Sequence, residues 1–259
     1  MIVEYHRPKS ITEALNLLSN QNILTLPLGG GTILNRPSSE IIGVVDLQEL
    51  NLGGYQIHNQ IIELGATLTL QELVDTPDLP ENLYKTVKLE ANYNIRQSAT
   101  VAGVLVAADG RSPFATMMLA MDAILCCASL LPGEETLRLG EVTPLGMKQL
   151  RGRLITKIKI PLNIRLGYEY VARTPADLPI VCVAIVRWPS GRTRLALGGF
   201  GQVPTLAMDG PQADGADLAA QSAYSHASDQ WASADYRSEI ARILTRRCLE
   251  QFSNKSVPS

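Results

Sequence analysis

The sequence predicts a mixed α+β protein, and three observations carry that expectation. The opening segment reads as strand, helix, strand; Ile180 to Gly198 reads as a hairpin; and an amphipathic helix begins near Tyr236. With 259 residues, 46% of them hydrophobic, the chain is long enough to bury one or two cores. Its 23 basic and 25 acidic residues leave a formal charge of −2, which supplies no field to hold a polyanion, so nucleic acid is not an expected partner. The opening MIVEYHRPKS lacks the basic start and apolar stretch of a secretion signal, and no window approaches the ~18 consecutive apolar residues of a membrane span. A soluble, cytoplasmic protein is expected.

The first strand is Ile2 to Tyr5. Ser10-Ile11-Thr12-Glu13 then fits a capping box, in which side chains satisfy the free amides of a helix start. Ile11, Ala14, Leu15 and Leu18 fall on one helical stripe, and the helix should stop near Asn20. Ile23 to Leu28 is the next strand, running into Gly29-Gly30-Gly31-Thr32, and Ile41 to Leu47 is the third. Glycines permit positive φ and bare the backbone, so successive amides can converge on an anion such as phosphate. A plain turn between two strands would read the same way. The triplet has neither the Gly-Lys-Ser/Thr of a P-loop nor the spacing of a G-x-G-x-x-G fingerprint.

A second small-residue segment runs Asn94-Ile95-Arg96-Gln97-Ser98-Ala99-Thr100-Val101-Ala102-Gly103-Val104, followed by Asp109 to Phe114. Thr100 to Gly103 offers slim backbone to a ligand, and equally to a packed crossover. Ser112 before Pro113 is a good N-cap with proline at the first helical position; Phe114, Met117, Met118 and Met121 continue at helical spacing as a core stripe.

Leu154 to Ile160 reads as a strand that Pro161-Leu162-Asn163 breaks, and a β-rich region begins at Tyr168. Ile180 to Trp188, a turn at Ser190-Gly191, and Arg194 to Gly198 make the hairpin. Residues 202–215 are expected to be a loop, and Tyr236, Ile240, Ile243 and Leu244 open the terminal helix. Cys126, Cys127, Cys182 and Cys248 form no C-x-x-C pair and are expected as core thiols, so an iron–sulfur cluster within this chain is not expected. His6, His58 and His226 give no metal-ligand pattern. Redox chemistry here would need an organic cofactor.

In this order, the segments resemble the flavin-binding subunit of the molybdenum hydroxylases, the family of carbon monoxide dehydrogenase medium subunits and the central part of xanthine dehydrogenase. The resemblance spans Tyr5-x-Arg7-Pro8, Gly29 to Leu34, Gly65-Ala66-Thr67-Leu68 before Glu72-Leu73, Arg96 with Ala99-Thr100-Val101-x-Gly103, and Leu119-Ala120-x-Asp122-Ala123. It continues through Ile158-x-Ile160-Pro161, Tyr170 to Arg173, Gly198-Gly199, Tyr236-Arg237 and Leu244-x-Arg246-Arg247. It implies an FAD-binding region of two subdomains at residues 1–164, with a break near 50–55. A smaller α+β domain with an antiparallel sheet and helices would follow at 165–259.

The resemblance also implies a site. Backbone amides of Leu28, Gly29, Gly30, Gly31, Thr32 and Ile33, with those of Thr100, Val101, Ala102 and Gly103, would embrace the pyrophosphate of noncovalent FAD; the strand around Ile155 would lie near the isoalloxazine. The implied role is electron relay. A molybdopterin-binding large subunit oxidises the substrate, a [2Fe-2S] iron–sulfur subunit passes electrons singly, and the flavin delivers them to an acceptor such as NAD or a quinone. No catalytic residue and no metal ligand are expected in this chain. It departs from the family at Val104, where relatives carry Asn, at Pro113, where they often carry Asp, and at Glu169, which aligns with a Lys that contacts the flavin in some of them. Asp109, Arg111 and Ser112 are alternative polar groups nearby. These departures keep open a flavinless scaffold that retains the fold. A stand-alone flavin reductase would need a proton donor not evident in the sequence.

Overall fold

A computed structural model describes residues 1–254 apart from Gln21 and Asp78. Its elements in chain order are β1 (Ile2–His6), α1 (Ile11–Leu18), β2 (Thr25–Leu28), β3 (Ile42–Asp46), β4 (Tyr55–His58), β5 (Ile61–Gly65), α2 (Leu70–Val74), α3 (Glu81–Glu90), α4 (Tyr93–Arg96), α5 (Val101–Ala107) and α6 (Pro113–Ala120). There follow β6 (Ile124–Ser129), β7 (Glu135–Arg138), α7 (Leu139–Leu145), β8 (Arg153–Pro161), β9 (Arg165–Val171), β10 (Val181–Arg187), β11 (Thr193–Gly198), β12 (Thr205–Gly210), α8 (Ala216–Ala223) and α9 (Ala234–Asn254). These group into two compact units. One comprises 1–76, 92–107 and 124–160; the other 77–91, 108–123 and the chain from Pro161 onward. No helix among the described residues is long and apolar enough to cross a membrane.

In the first unit, β1, β3 and β2 form a parallel three-stranded sheet in that order. The middle strand β3 is buried along its whole length, as a strand flanked on both edges must be. Buried Ala14 and Leu15 of α1 join Val45, Leu47 and Leu50 in one apolar cluster. Ser10 caps α1 by accepting from the Glu13 amide at 3.2 Å, while the Glu13 carboxylate takes the amide of Lys9 rather than that of Ser10. The unit's other sheet has the order β4-β5-β8-β6-β7. Lys157 and Lys159 of β8 both reach Glu63 of β5 at 2.9 Å, and these hydrogen bonds, first Lys159 and then Lys157, hold its carboxyl below the ordinary carboxylate range.

The second unit is built on an antiparallel sheet of order β12-β11-β10-β9. Val181, Val183 and Ile185 of β10 cluster with Ala241, Leu244 and Cys248 of α9, and the Cys182 thiol meets Thr116 of α6 at 3.8 Å. Burial on both faces explains why β10 reads as an unbroken apolar run. Every residue of α6 is buried, so the Phe114, Met117 and Met118 stripe is core. All four cysteines are buried and free.

Residues 202–215 are not simply a loop. Thr205–Gly210 is an edge strand paired with the preceding strand β11, and its polar Asp-Gly end and irregular alternation hide it in the sequence. The compact units also do not follow the chain linearly. Helices α3 and α6, both inside residues 1–164, pack on each other and on strands β9 and β10, because their apolar faces find that sheet.

Candidate functional site

Strand β2 is an edge strand, and Pro27, which has no amide hydrogen, sits in it without breaking a ladder. After Leu28, whose carbonyl accepts from the Leu47 amide at 3.1 Å, the chain leaves the sheet into the three glycines. Each glycine is required for its own reason. Gly31 has φ of 69°, in the left-handed region. A Cβ on Gly30 would lie 1.5 Å from the Ser98 carbonyl oxygen, and one on Gly29 would lie 2.7 Å from Thr100 Oγ1. The first two glycines therefore let the loop press against the Ser98–Thr100 backbone. Among the described residues, none accepts from the amides of Gly29, Gly30, Gly31, Thr32 or Ile33. A tight turn closes the loop, with the Asn35 amide on the Gly31 carbonyl at 3.2 Å and the Arg36 amide on the Ile33 carbonyl at 3.1 Å.

The second segment is organised differently. Ala99 to Ala102 runs beside Ala66 to Leu70: the Leu70 amide donates to Ala99 at 2.8 Å, Val101 to Leu68 at 2.9 Å, and Ala102 to Ala66 at 3.2 Å. The Gly103 amide donates to Thr100 Oγ1 at 3.2 Å and the Val104 amide to the Thr100 carbonyl at 2.9 Å, which starts α5. Amide donation by Val101, Ala102 and Gly103 to a ligand, as expected from the sequence, conflicts with these bonds. Their small size and the Thr100 hydroxyl are what this segment can offer. Ile155 is buried in β8 opposite Cys127. It reaches the segment through its neighbour, because the Thr156 carbonyl accepts the Ala66 amide at 3.0 Å.

An open cleft of about 440 Å³ lies against the first loop. Gly30, Gly31, Thr32, Asn35, Arg36 and Pro37 line one side; Asn94, Ile95 and Ser98 line the other. Arg36 is the sole charged residue among them. Amides without an acceptor among the described residues, a left-handed glycine and the cationic side chain of Arg36 suit a diphosphate, so the residues present fit the pyrophosphate of a dinucleotide. Of the expected residues, Gly30, Gly31 and Thr32 border the cleft, Leu28 and Gly29 are not among its lining residues, and Ile33 is exposed. Asn35, Arg36, Asn94 and Ser98 were not expected as site residues. The only signal for them was that polar residues follow each small-residue run.

The departures have structural occupants. Pro113 is the first residue of α6, and Glu90 supplies the carboxylate at that helix start, accepting from Ser112 Oγ at 2.7 Å and the Phe114 amide at 3.0 Å. Burial pushes the Glu90 carboxyl up. Glu169 accepts from Gln251 at 2.6 Å. Arg111 donates to the carbonyls of Pro179 and Leu178 at 3.0 and 2.6 Å, and Asp109 accepts the Arg111 amide at 2.8 Å. These polar groups are engaged in holding the second unit. Among the described residues no cluster of three or more His, Cys, Asp or Glu is placed to hold a metal ion.

Residues 1–163 match the family described as the FAD binding domain in molybdopterin dehydrogenase. The chain is 26% identical to the carbon monoxide dehydrogenase medium chain of Afipia carboxidovorans over 96% of each. It is 27% identical to the uncharacterized protein YgfM of Escherichia coli over 77% of this chain and 75% of the other. Among solved structures, the cyanide-inactivated form of the Cu,Mo-CO dehydrogenase matches with a TM-score of 0.80 at 25% identity, over 95% of this chain and 96% of the other. Quinoline 2-oxidoreductase from Pseudomonas putida shares the fold, with a TM-score of 0.78 at 21% identity over 97% and 96% of the two chains. The chain therefore belongs to the family of FAD-binding domains in molybdopterin dehydrogenases, as an FAD-binding oxidoreductase subunit of the molybdenum hydroxylase type.

Proposed function

We propose that this subunit works as an electron relay in a cytoplasmic complex with a [2Fe-2S] iron–sulfur subunit and a molybdopterin-binding large subunit that oxidises the substrate. Bound FAD would supply the chemistry that converts single-electron delivery into two-electron transfer to an acceptor. Residues 1–164 act as the FAD-binding domain and 165–259 as the family's C-terminal domain. The observation that carries the reading is the row of amides at Gly29 to Ile33, without an acceptor among the described residues, beside a cleft that Arg36 lines. These amides bind the diphosphate, Gly31 gives the loop its curvature, and Ser98 and Thr100 back it from the second segment. Neither loop contains His or Cys, so the flavin is held noncovalently.

The test is purification followed by titration with FAD. Flavin absorbance that is released by acid precipitation supports noncovalent binding; a protein that stays colourless in excess FAD refutes the relay. Co-purification from the native source with molybdenum and iron supports the partners. Full turnover of an organic substrate by the isolated chain would refute them.

A second reading, a flavinless scaffold, is favoured by one observation: the amides of Val101, Ala102 and Gly103 are engaged within the chain, and Val104 and Pro113 bring no polar side chain. A colourless protein that still assembles with both partners would establish it.

A further inference from the structure

Of the fifteen arginines of this chain other than Arg36, seven pair with carboxylates. Arg7 pairs with Glu49, Arg153 with Glu135, Arg192 and Arg194 with Asp209, Arg237 with Asp229, and Arg242 and Arg246 with Asp217. The exposed guanidinium of Arg36 makes no hydrogen bond or ion pair with any described residue, and it borders the glycine-loop cleft. Its backbone is fixed there. The turn bonds from Asn35 to Gly31 and from Arg36 to Ile33 tie it to the loop that presents the free amides, and Pro37 locks the φ that follows.

The electrostatics of the cleft need such a group. A diphosphate brings two ionised phosphates, and neutral amides offset them only with partial charges; among the cleft's lining residues only Arg36 carries a full positive charge. We propose that Arg36 is the charge partner of the flavin diphosphate and makes the site select phosphorylated flavins over riboflavin. This rests on the FAD reading above. Riboflavin, with the same ring system and no phosphate, gains nothing from Arg36.

The experiment uses the full-length protein freed of flavin, titrated with FAD and separately with riboflavin at several salt concentrations, for wild type, Arg36→Gln and Arg36→Lys. Losing one charge-assisted contact should weaken FAD binding by roughly tenfold or more in the Gln variant. Its FAD affinity should also depend less steeply on salt, riboflavin affinity should stay within about twofold, and the Lys variant should keep most of the FAD affinity by restoring the charge. Thermal unfolding should be unchanged, because the side chain has no described partner to lose. Wild-type binding of FAD with an unaffected Gln variant would overturn the role of Arg36 and leave the FAD reading intact. Equal losses for FAD and riboflavin would also overturn it, since a charge partner cannot act on a ligand without phosphate. Failure of wild type to bind FAD overturns both.

Discussion

In the loop after β2, the amides of Gly29 to Ile33 have no acceptor among the described residues, whereas in the Thr100–Gly103 segment those of Val101, Ala102 and Gly103 all bond within the chain. Both stretches are small-residue backbone, and composition does not separate them. Their neighbours do. The first leaves an edge strand, and its Gly30, Gly31 and Thr32 border an open cleft; the second is laid antiparallel to Ala66–Leu70 and starts a helix, so its donors are satisfied before a ligand arrives. The two segments meet where Gly29 and Gly30 press against Thr100 and Ser98, so small residues allow close packing on both sides of that contact.

The most severe way to break this contrast is Gly30→Val. Its side chain would strike the Ser98 backbone, which cannot yield as a flexible side chain can. We expect a loss of roughly 2–3 kcal/mol in urea unfolding together with loss of FAD binding; a stable protein lacking only flavin would mean that the glycine serves the ligand alone. A finer probe is a double-mutant cycle. Gly29→Ala should cost about 1–2 kcal/mol through its contact with Thr100 Oγ1, and much less in a Thr100→Ala background, where the obstructing atoms are gone. Additive effects would show that the two segments do not touch as described.

Thr100→Val tests the second segment by itself. It removes the acceptor of the Gly103 amide and should cost about 1 kcal/mol, the worth of a helix cap, with a smaller effect on FAD affinity than Gly30→Val. The smallest effect is expected at the strand pair below. Glu63 titrates beneath its ordinary value of 4.5 because Lys159 and Lys157 bond to it. Its stabilisation is therefore fully present above that pH and disappears as pH falls through the lowered value. Glu63→Gln should lose under about 1 kcal/mol at neutral pH, since the group is partly solvated, and the gap from wild type should close in acid. A gap that widens in acid would reverse the assigned sign.

Much of the fold was legible locally. The capped helix at Ser10, the strand ending in glycines, the Ser112-Pro113 helix start and the hairpin of β10 and β11 each follow from residues within one or two turns of one another. The Thr205–Gly210 strand was not legible, because its own alternation is weak and its Asp-Gly end reads as a turn. The site divided in the same way. Gly30, Gly31 and Thr32 were marked by their composition, but the engagement of Val101 and Ala102 depends on the carbonyls of Leu68 and Ala66, some thirty residues away in the sequence. Arg36 was not singled out, because a single arginine after a turn looks like ordinary surface until the structure shows it beside the cleft with no partner among the described residues.

The interleaving of the two units has a consequence for inheritance. The chain changes unit at Thr76/Pro77, Ala91/Asn92, Ala107/Ala108, Ala123/Ile124 and Ile160/Pro161. A recombination breakpoint anywhere between the first and last of these positions would leave both halves of the gene encoding fragments of both units. Neither can be traded, duplicated or deleted by one crossover without orphaning helices such as α3 or α6, whose Leu83, Val87, Phe114 and Met118 have no solvent exposure. The unit that carries the glycine loop and the unit built on the downstream sheet are bound to descend together, and their sequences can diverge only by substitution in place.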